Sequence, residues 1–401
     1  MDVKEGDVLN YDIVVVGGGP AGSTAARFAA RDGLDVLVLE KRQEIGSPVR
    51  CAEGVSLSWL EELEIDNIDS STSRTMKGAI LYSPAGNKLK ITERLAGDEV
   101  GVVLERDRFD KDMARLAVKE GADFMVKTSA VGLIKEDGVV KGVEARYLGK
   151  KFEVRADLVI GADGFESQVG RWAGIYDSLK PKDIMTCFQY RLTGVNMDPD
   201  FTHFYMGSSA PGGYVWAFPK DENTANVGLG LQFSRLKGEK TPKDYLDEFI
   251  ENHDDYKDGE AVDMVAGAVA VTHPPEKAIA PGIILVGDAS RVVDSMTGGG
   301  IVNSLKQGKI AGEFAAEAVR EGKFDEEFLQ KYEKRWRDEL ENKLWRNYMA
   351  KETAMQLDDI TFDKIIDALS NIELETVTIG AILEGVKKKY PELVEEFQNM
   401  I

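Results

Sequence analysis

The residues between Asp12 and Lys41 constrain the fold more strongly than any other part of this 401-residue chain. An apolar run at Asp12–Val16 is followed by an alanine-rich segment, Pro20–Arg31, and by a second apolar run at Val36–Glu40. Two short apolar runs that flank a segment of helical length are typical of a strand, a helix and a second strand. The sequence therefore predicts a βαβ unit at the start of the chain.

Three glycines at the junction of the first strand and the helix predict the kind of ligand that this unit binds. Gly17, Gly19 and Gly22 have the G-x-G-x-x-G spacing, which permits a sharp turn, the approach of a pyrophosphate and close helix packing, respectively. Pro20 suits the first helical turn, whose free N–H groups would face the phosphates. Glu40 ends the second strand, where a carboxylate binds a ribose 2′-hydroxyl and disfavours a 2′-phosphate. We predict a dinucleotide with a free ribose; the alternative is an ordinary α/β domain with Glu40 on its surface.

The charge balance excludes some classes of partner. Fifty basic residues against seventy acidic ones give a formal net charge of −20. This charge argues against a general nucleic-acid binder and against docking on anionic lipid through overall charge. A local basic patch for lipid contact stays open.

The cysteines, histidines and N-terminus indicate the setting. Cys51 and Cys187 lie in unrelated contexts, and the three histidines are scattered, so we expect no metal site. A reducing, intracellular setting is the simplest interpretation. The charged N-terminus lacks the apolar core of a signal peptide, and no apolar run is long enough to span a membrane. We therefore expect a cytoplasmic protein.

The segment after Glu40 is predicted to be an irregular loop because it contains Gly46, Pro48 and Gly54. It carries Cys51. One interpretation is a small buried apolar residue, and the other is a reactive thiol. The neighbouring charges, Arg50 and Glu53, would shift the thiol pKa in opposite directions.

Two later segments repeat the pattern of an apolar strand that ends in small residues and an aspartate. The first, Ala156–Gly164, follows a separate predicted strand at Lys151–Val154 and contains Asp163; the second, Ile279–Ser290, contains Asp288. Open α/β sheets bind ligands at such strand ends. Asp163 is alternatively a helix N-cap, and Asp288 is a candidate acceptor for polyol hydroxyls.

A glycine-rich turn, Thr297–Gly300, precedes a helix predicted at Ile301–Val319. Its start offers a second positive dipole end to an electron-rich ligand atom.

The middle and the end of the chain have different hydrophobic patterns from the first part. From Lys182 to Val271, alternating aromatic-rich runs predict an antiparallel sheet, interrupted by a helix at Thr241–Ile250. Tyr214, Trp216 and Phe218 share one strand face, as part of a core or as the wall of a binding site. Further helices, which form either a solvated cap or a lid over a hydrophobic substrate, are predicted near Phe324–Met349, Phe362–Ser370, Thr378–Lys389 and Glu392–Met400.

These motifs resemble those of a known group of flavoenzymes. GGGPAG with Glu40, GADG at 161–164, and GDAS followed by GGG occur in the order found in FAD enzymes related to p-hydroxybenzoate hydroxylase, over roughly residues 10–320. The Y-x-W-x-F-P run at 214–219, the following G-x-G and the cysteine-bearing loop 48–54 are similar to the geranylgeranyl reductase family. Within it, the chain most resembles the archaeal enzymes that saturate digeranylgeranylglycerophospholipids.

The resemblance implies a fold and a cofactor. The fold is α/β, α+β overall: a Rossmann-like FAD-binding domain (1–75, 100–175 and 276–322), an inserted antiparallel substrate domain (76–99 and 176–275) and a C-terminal helical domain (323–401). Together with the motif residues, it implies FAD contacts at Gly17, Gly19, Ala21, Gly22, Glu40, Arg50, Cys51, Ala52, Gly54, Arg106, Ala130, Asp163, Asp288, Gly299, Gly300 and Ile301. The implied substrate contacts are Tyr214, Trp216, Phe218, Gly228 and Gly230.

The resemblance also implies an activity. Reduced FAD delivers a hydride to an isolated alkene of a geranylgeranylated glycerophospholipid while a proton reaches the other carbon, with Cys51 as the candidate catalytic residue. The implied partners are an external electron donor, NAD(P)H or ferredoxin, and a transiently contacted membrane surface. Two alternatives stay open: a flavin-dependent hydroxylase, and a non-enzymatic escort protein that binds prenyl lipids.

Overall fold

The first strand of the chain is longer than its apolar run. In the computed structural model, which describes residues 3–65, 68–92, 101–236, 238–370 and 385–391, this strand is Val8–Val16. Its added residues pair in parallel with a later strand, from Val8 opposite Glu153 to Tyr11 opposite Ala156. Main-chain pairing therefore extends the strand past Asp12 and Asn10, the polar residues that separate Val8 and Leu9 from the apolar run.

The strands and helices follow in chain order. The strands are β1 Val8–Val16, β2 Val36–Leu39, β3 Gly54–Ser56, β4 Thr72–Thr75, β5 Gly78–Tyr82, β6 Lys88–Thr92, β7 Gly101–Leu104, β8 Asp123–Met125, β9 Thr128–Glu136, β10 Val139–Tyr147, β11 Lys150–Gly161, β12 Ile184–Thr193, β13 Thr202–Tyr205, β14 Tyr214–Pro219, β15 Thr224–Gln232, β16 Glu260–Ala270, β17 Ile279–Ala280 and β18 Ile283–Leu285. The helices are α1 Pro20–Arg31, α2 Arg106–Lys119, α3 Gln168–Ala173, α4 Pro242–Glu251, α5 Ile301–Glu321, α6 Glu326–Ala354 and α7 Asp359–Ser370.

Contacts divide the chain into two compact units. The first comprises residues 1–49, 106–179 and 270–348, and the second comprises 50–105, 180–269 and 349–401. The predicted three-domain boundaries stay a prediction.

The first unit contains an eight-stranded sheet with the order β17-β18-β11-β1-β2-β8, to which β10 and β9 are added beside β11. The separate strands predicted at Lys151–Val154 and Ala156–Gly161 are wrong, because β11 runs through both. Arg155 interrupts the apolar pattern but keeps main-chain pairing with Asn10 and with Gly142.

Helices α1 and α5 of the first unit pack at unusually short range. A Cβ atom at Gly308 would lie 2.6 Å from the carbonyl oxygen of Ala21, and one at Gly312 would lie 2.5 Å from that of Ala25. Only glycine fits at both positions of α5. This close contact fixes the start of α5 relative to the start of α1, where the predicted ligand-binding turns lie.

The second unit contains a seven-stranded sheet with the order β16-β12-β15-β14-β13-β5-β6. The predicted antiparallel sheet contains a parallel pair that was not expected: β5 and β13 run parallel, from Thr202 opposite Ala79 to Tyr205 opposite Tyr82. These strands belong to chain segments separated by the long excursion through the first unit, and parallel neighbours need such a long connection.

One face of this sheet is covered by α4, whose predicted position is correct within one residue at each end. Thr241 caps the helix in a reciprocal capping box with Asp244. Leu246 and Phe249 of α4 pack in a core cluster with the fully buried Val215 and Leu229 of the sheet.

The C-terminal helices agree with the predictions as far as the structure describes them. The segment predicted from Phe324 is α6, and Phe362–Ser370 lies within α7. Residues 385–389 are helical, whereas 378–384 and 392–400 of the predicted helices lie outside the described residues. Within the described ranges, no helix combines the length and the apolar character needed to cross a membrane.

Candidate active site

The turn after β1 admits only glycine at two positions. Gly17 has φ +109°, and a Cβ atom there would lie 2.2 Å from the carbonyl oxygen of Ala162. A Cβ atom at Gly22 would lie 1.9 Å from the carbonyl oxygen of Gly17. The turn and the helix that follows it therefore approach their neighbours as closely as a backbone can.

Gly19 lies at the opposite extreme. It is the N-cap of α1, and a Cβ atom there would meet no atom within 4 Å. Pro20 and the buried Ala21 follow as the first helical residues. The first N–H groups of a helix have no partner within the helix, so this open helix start can receive an anion.

Glu40 lies at this turn. Its carboxylate accepts hydrogen bonds from the backbone N–H of Gly18, at 3.0 Å, and of Arg42, at 2.8 Å. The carbonyl oxygen of Glu40 accepts a bond from the N–H of Thr128, which places Ala130 two residues further along β9. Glu40 thus holds the glycine turn and retains lone pairs for a ligand hydroxyl.

Asp163 lies in the loop after β11, close to the start of α3. The N-cap residue of α3 is Ser167, so the predicted N-cap position is wrong, but Asp163 Oδ2 accepts the N–H of Val169 in the first turn at 2.9 Å. Its Oδ1 is buried without a hydrogen-bond partner among the described residues. Burial raises the pKa of Asp163. A buried acceptor without a donor fits a ligand hydroxyl or N–H group.

Asp288 and the start of α5 form a second polar site of the same unit. A Cβ atom at Gly300, the N-cap of α5, would lie 3.1 Å from Asp288 Oδ1. Within the described chain, the Asp288 carboxylate accepts no hydrogen bond. Burial raises the pKa of Asp288, and the charge of Arg106 opposes that effect. Arg106 itself forms two hydrogen bonds to Asp110, at 2.7 and 2.9 Å.

Sequence reasoning missed the residue that shapes the glycine-rich turn before α5. The buried Asp294 accepts hydrogen bonds through Oδ1 from the N–H groups of Met296, at 2.9 Å, and Thr297, at 3.1 Å, and Asn347 donates to its Oδ2. Gly299 donates to Thr297 Oγ1 at 3.1 Å. The available signal was an aspartate that opens a glycine-containing turn, where its side chain bonds the backbone two residues on.

The predicted cofactor fits these features of the first unit. The open helix start at Gly19 suits the two phosphates of FAD, and the carboxylates of Glu40, Asp163 and Asp288 are acceptors for hydroxyl or N–H groups. The N–H groups at Gly300 and Ile301 suit an electron-rich ring edge.

The second unit contains the predicted substrate strand, β14. Tyr214, Trp216 and Phe218 lie on the face opposite to Val215 and Ala217, which pack in the core with α4. Trp216 and Phe218 are 8% exposed and cluster with Phe204, Cys187 and Met76. The stripe is therefore packed into a small aromatic cluster separate from the main core, and its role as the wall of a binding site stays a prediction.

One glycine of β15 makes room for this stripe. A Cβ atom at Gly228 would lie 2.6 Å from Trp216 Cζ2, whereas one at Gly230 would make an ordinary contact of 3.5 Å with Cys187 Sγ. Gly228 thus lets the indole lie flat on the neighbouring strand.

The cysteine-bearing loop lies against the same strands. Gln189 on β12 receives a hydrogen bond from Trp216 Nε1 at 2.8 Å and donates to the carbonyl oxygen of Cys51 at 3.2 Å. A Cβ atom at Gly54 would lie 2.8 Å from the Phe218 ring. Cys51 is half-buried, and its Sγ accepts the N–H of Glu53 at 3.2 Å.

The other residues of this loop occupy distinct positions. Arg50 is exposed beside Gly267 of β16, and the carbonyl oxygen of Ala52 accepts a hydrogen bond from Asn226 at 3.3 Å.

Cys187 belongs to this group although its sequence context gave no sign of it. It shares a strand face with Gln189, two residues away on β12. Burial, with a smaller effect of Cys51, raises the pKa of the Cys187 thiol to about 12. Cys187 therefore stays a protonated thiol at neutral pH.

The structure gathers the predicted residues into two groups. Gly17, Gly19, Ala21, Gly22, Glu40, Arg106, Ala130, Asp163, Asp288, Gly299, Gly300 and Ile301 belong to the first unit. Arg50, Cys51, Ala52, Gly54, Tyr214, Trp216, Phe218, Gly228 and Gly230 belong to the second.

Comparison with known proteins agrees with the motifs. Residues 12–179 match the FAD dependent oxidoreductase family, and residues 183–269 match the geranylgeranyl reductase catalytic domain. The digeranylgeranylglycerophospholipid reductase of Thermoplasma volcanium is 47% identical over 98% of this chain and 99% of its own length, and that of Methanosarcina acetivorans is 48% identical over 96% and 94%.

A solved structure, a geranylgeranyl bacteriochlorophyll reductase-like protein of Thermoplasma acidophilum, has a TM-score of 0.92 at 46% identity and covers 98% of this chain and 100% of that one. The family inferred from the motifs is confirmed, as are the FAD-dependent fold and cofactor. The chain belongs to the digeranylgeranylglycerophospholipid reductase family of FAD-dependent oxidoreductases.

Proposed function

We propose that this protein saturates the isolated double bonds of geranylgeranyl chains on archaeal glycerophospholipids, as a step of membrane lipid synthesis. The observation that carries the proposal is the aromatic face of β14, which presents Tyr214, Trp216 and Phe218 within the region that matches the catalytic-domain family. An apolar wall of rings, with space for the indole at Gly228, suits a long unsaturated hydrocarbon better than a polar metabolite.

The first unit holds the cofactor in this proposal. The α1 start at Gly19 binds the pyrophosphate, Glu40 binds the adenosine ribose, and Asp288 accepts hydrogen bonds from hydroxyl groups. The N–H groups at Gly300 and Ile301 stabilise negative charge on the ring, which favours the reduced cofactor. Bound and reduced, FAD supplies a hydride for one alkene carbon, and a proton must reach the other.

The remaining residues position the substrate and supply the proton. An isolated alkene has no carbonyl oxygen on which charge develops, so an oxyanion hole offers nothing. Positioning and exclusion of water are what the aromatic wall contributes, and burial of each CH₂ group of the chain adds about 0.8 kcal/mol of binding. We assign the proton to the Cys51 thiol, which recovers it from solvent after turnover.

The partners follow from the substrate. The phosphate head group stays in water while the prenyl chains are bound, so the protein visits the membrane surface transiently and without insertion. Electrons come from an external donor, NAD(P)H or ferredoxin.

The proposal is tested by incubating the reduced, FAD-loaded protein anaerobically with a digeranylgeranylglycerophospholipid. We expect product masses that rise by two hydrogen atoms for each double bond saturated. Trp216→Ala should slow the reaction with FAD content unchanged. Oxygen consumption with a hydroxylated product would instead identify a hydroxylase, and a protein purified without flavin would favour an escort protein.

The role of Cys51 is tested separately in the same assay. Cys51→Ala should reduce the lipid much more slowly than the wild type at equal FAD content. Wild-type rates in Cys51→Ala would rule out this residue as the proton source and leave the reductase assignment intact.

A further inference from the structure

A cluster of charged side chains, in which Glu53 and Lys220 are buried and Arg191 and Glu105 are partly exposed, lies directly behind the cysteine-bearing loop. Glu53 is fully buried, and its Oε2 accepts hydrogen bonds from Lys220 Nζ at 2.8 Å, Arg191 Nη2 at 2.9 Å and Asn226 Nδ2 at 2.7 Å. The mechanism above uses none of these groups. A buried carboxylate is tolerated only with such partners.

A second carboxylate completes the cluster. Glu105 lies 3.0 Å from Lys220 Nζ and 3.4 Å from Arg191 Nη2, and it accepts a hydrogen bond from Ser73. Two acids and two bases therefore balance, and Lys220 also donates to the carbonyl oxygen of Leu104. Removal of one member leaves the others charged and incompletely paired.

The backbone at Glu53 shows what the cluster holds in place. Glu53 has φ +77°, a region that glycine adopts readily and that other residues avoid unless their surroundings impose it. Its own N–H donates to Cys51 Sγ at 3.2 Å, and its carbonyl oxygen accepts the N–H of Leu104 at 2.9 Å. The conformation that the cluster imposes on Glu53 therefore also sets the contact to the thiol of Cys51.

We propose that Glu53 is a positioning residue: its carboxylate, held by Lys220, Arg191 and Asn226, fixes the backbone turn that orients the Cys51 thiol. The inference rests on the proposed function only for the meaning of that orientation in catalysis. Glu105 belongs to the same cluster, yet its side chain contacts Ser73, Lys220 and Arg191 rather than the loop. This makes it a matched control for loss of charge within the cluster.

The test measures the alkylation rate of Cys51 by iodoacetamide in the FAD-loaded protein, read by peptide mass spectrometry in a Cys187→Ser background. Glu53→Gln should change this rate by about ten-fold, since the N–H that bonds the sulfur is displaced. Glu105→Gln should change the rate far less, even where it lowers Tm by a similar amount. Asn226→Ala, which keeps all four charges, replaces Glu53→Gln in this measurement if that variant does not fold. It should change the alkylation rate of Cys51 in the same direction.

Equal alkylation rates in the wild type, Glu53→Gln and Asn226→Ala would overturn the proposal, as would an equal change in Glu105→Gln. The thiol measurement needs no lipid, so its failure is distinct from failure of the reductase assignment. In the lipid assay, Glu53→Gln should lower kcat with KM retained, whereas a merely structural role would alter the amount of folded protein alone.

Discussion

The glycine turn after β1 and the loop at residues 51–54 are both irregular, but different interactions determine their conformations. In the first, the nearest obstacles to a Cβ atom at Gly17 or Gly22 are backbone atoms, and the one side chain that bonds the turn, Glu40, comes from the same βαβ unit. In the second, Glu53 is held by side chains from distant parts of the chain, among them Arg191 on β12 and Lys220, which follows β14. A position that only glycine can occupy is predictable from a local motif, whereas an ion cluster between distant residues is not.

The largest effect that this comparison predicts is that of Gly22→Ala. The new Cβ atom would lie 1.9 Å from the carbonyl oxygen of Gly17, and neither backbone can yield without moving α1 from the sheet. We expect a loss of more than about 3 kcal/mol of stability, beyond the usual cost of overpacking, and no bound flavin. Thermal unfolding of the apoprotein measures the loss of stability, and flavin absorbance per chain measures the loss of bound FAD.

Gly19→Ala is the matched control, because its Cβ atom would meet nothing within 4 Å. The apoprotein should melt like the wild type but bind FAD more weakly, since the methyl group occupies the space intended for the pyrophosphate. A wild-type Tm for Gly22→Ala, or an equal loss in both variants, would refute the steric account of this turn.

The next effect concerns the contact between α1 and α5. Gly312→Ala places a methyl group 2.5 Å from the carbonyl oxygen of Ala25, and we expect a net loss of about 1–2 kcal/mol, since better helix propensity offsets part of the overlap. Chemical denaturation of the apoprotein measures it. Glu313→Ala, on the same helix with a 3.8 Å ion pair to Arg31, should change stability by less than about 1 kcal/mol. Similar values for the two variants would contradict the proposed close packing.

The same contrast explains what the sequence could predict. Gly17, Gly19 and Gly22 follow from one local motif, and the shared face of Tyr214, Trp216 and Phe218 follows from strand parity. The links from Gln189 to Cys51 and from Asn347 to Asp294 join residues far apart in the chain, where no spacing rule applies. The parallel pairing of β5 with β13 was missed for the same reason.

A smaller effect is expected from Asp294→Ala, which removes the acceptor of the Met296 and Thr297 N–H groups. The turn before α5 would loosen, and we expect FAD to bind about ten-fold more weakly, equivalent to about 1.4 kcal/mol. Flavin fluorescence titration of the apoprotein gives the Kd. Asp294→Asn keeps one acceptor oxygen and should retain most of the affinity, so equal weakening in both would point to charge rather than to the turn.

The smallest effects are pH-dependent: the stability contributions of Glu105, in the second unit, and Asp163, in the first, should change with pH in opposite directions. Burial alone would raise the pKa of Glu105, but the hydrogen bond from Ser73 and the charge of Lys220 hold it below its ordinary value of 4.5. The folded state thus favours the Glu105 carboxylate, and its contribution to stability is lost as the pH falls through the folded pKa. Burial raises the pKa of Asp163 above its ordinary 3.8, so its contribution is lost as the pH rises.

We therefore expect the stability of Glu105→Gln, relative to the wild type, to fall between acid and neutral pH, and that of Asp163→Asn to rise. Urea unfolding of the apoproteins over this range measures both slopes, and the slopes exclude any effect of the substitutions that does not depend on pH. Slopes of the same sign would mean that the two carboxylates lie in similar electrostatic environments. They would contradict the contrast between Glu105, which is paired with cations, and Asp163, whose Oδ1 is buried and unbonded among the described residues.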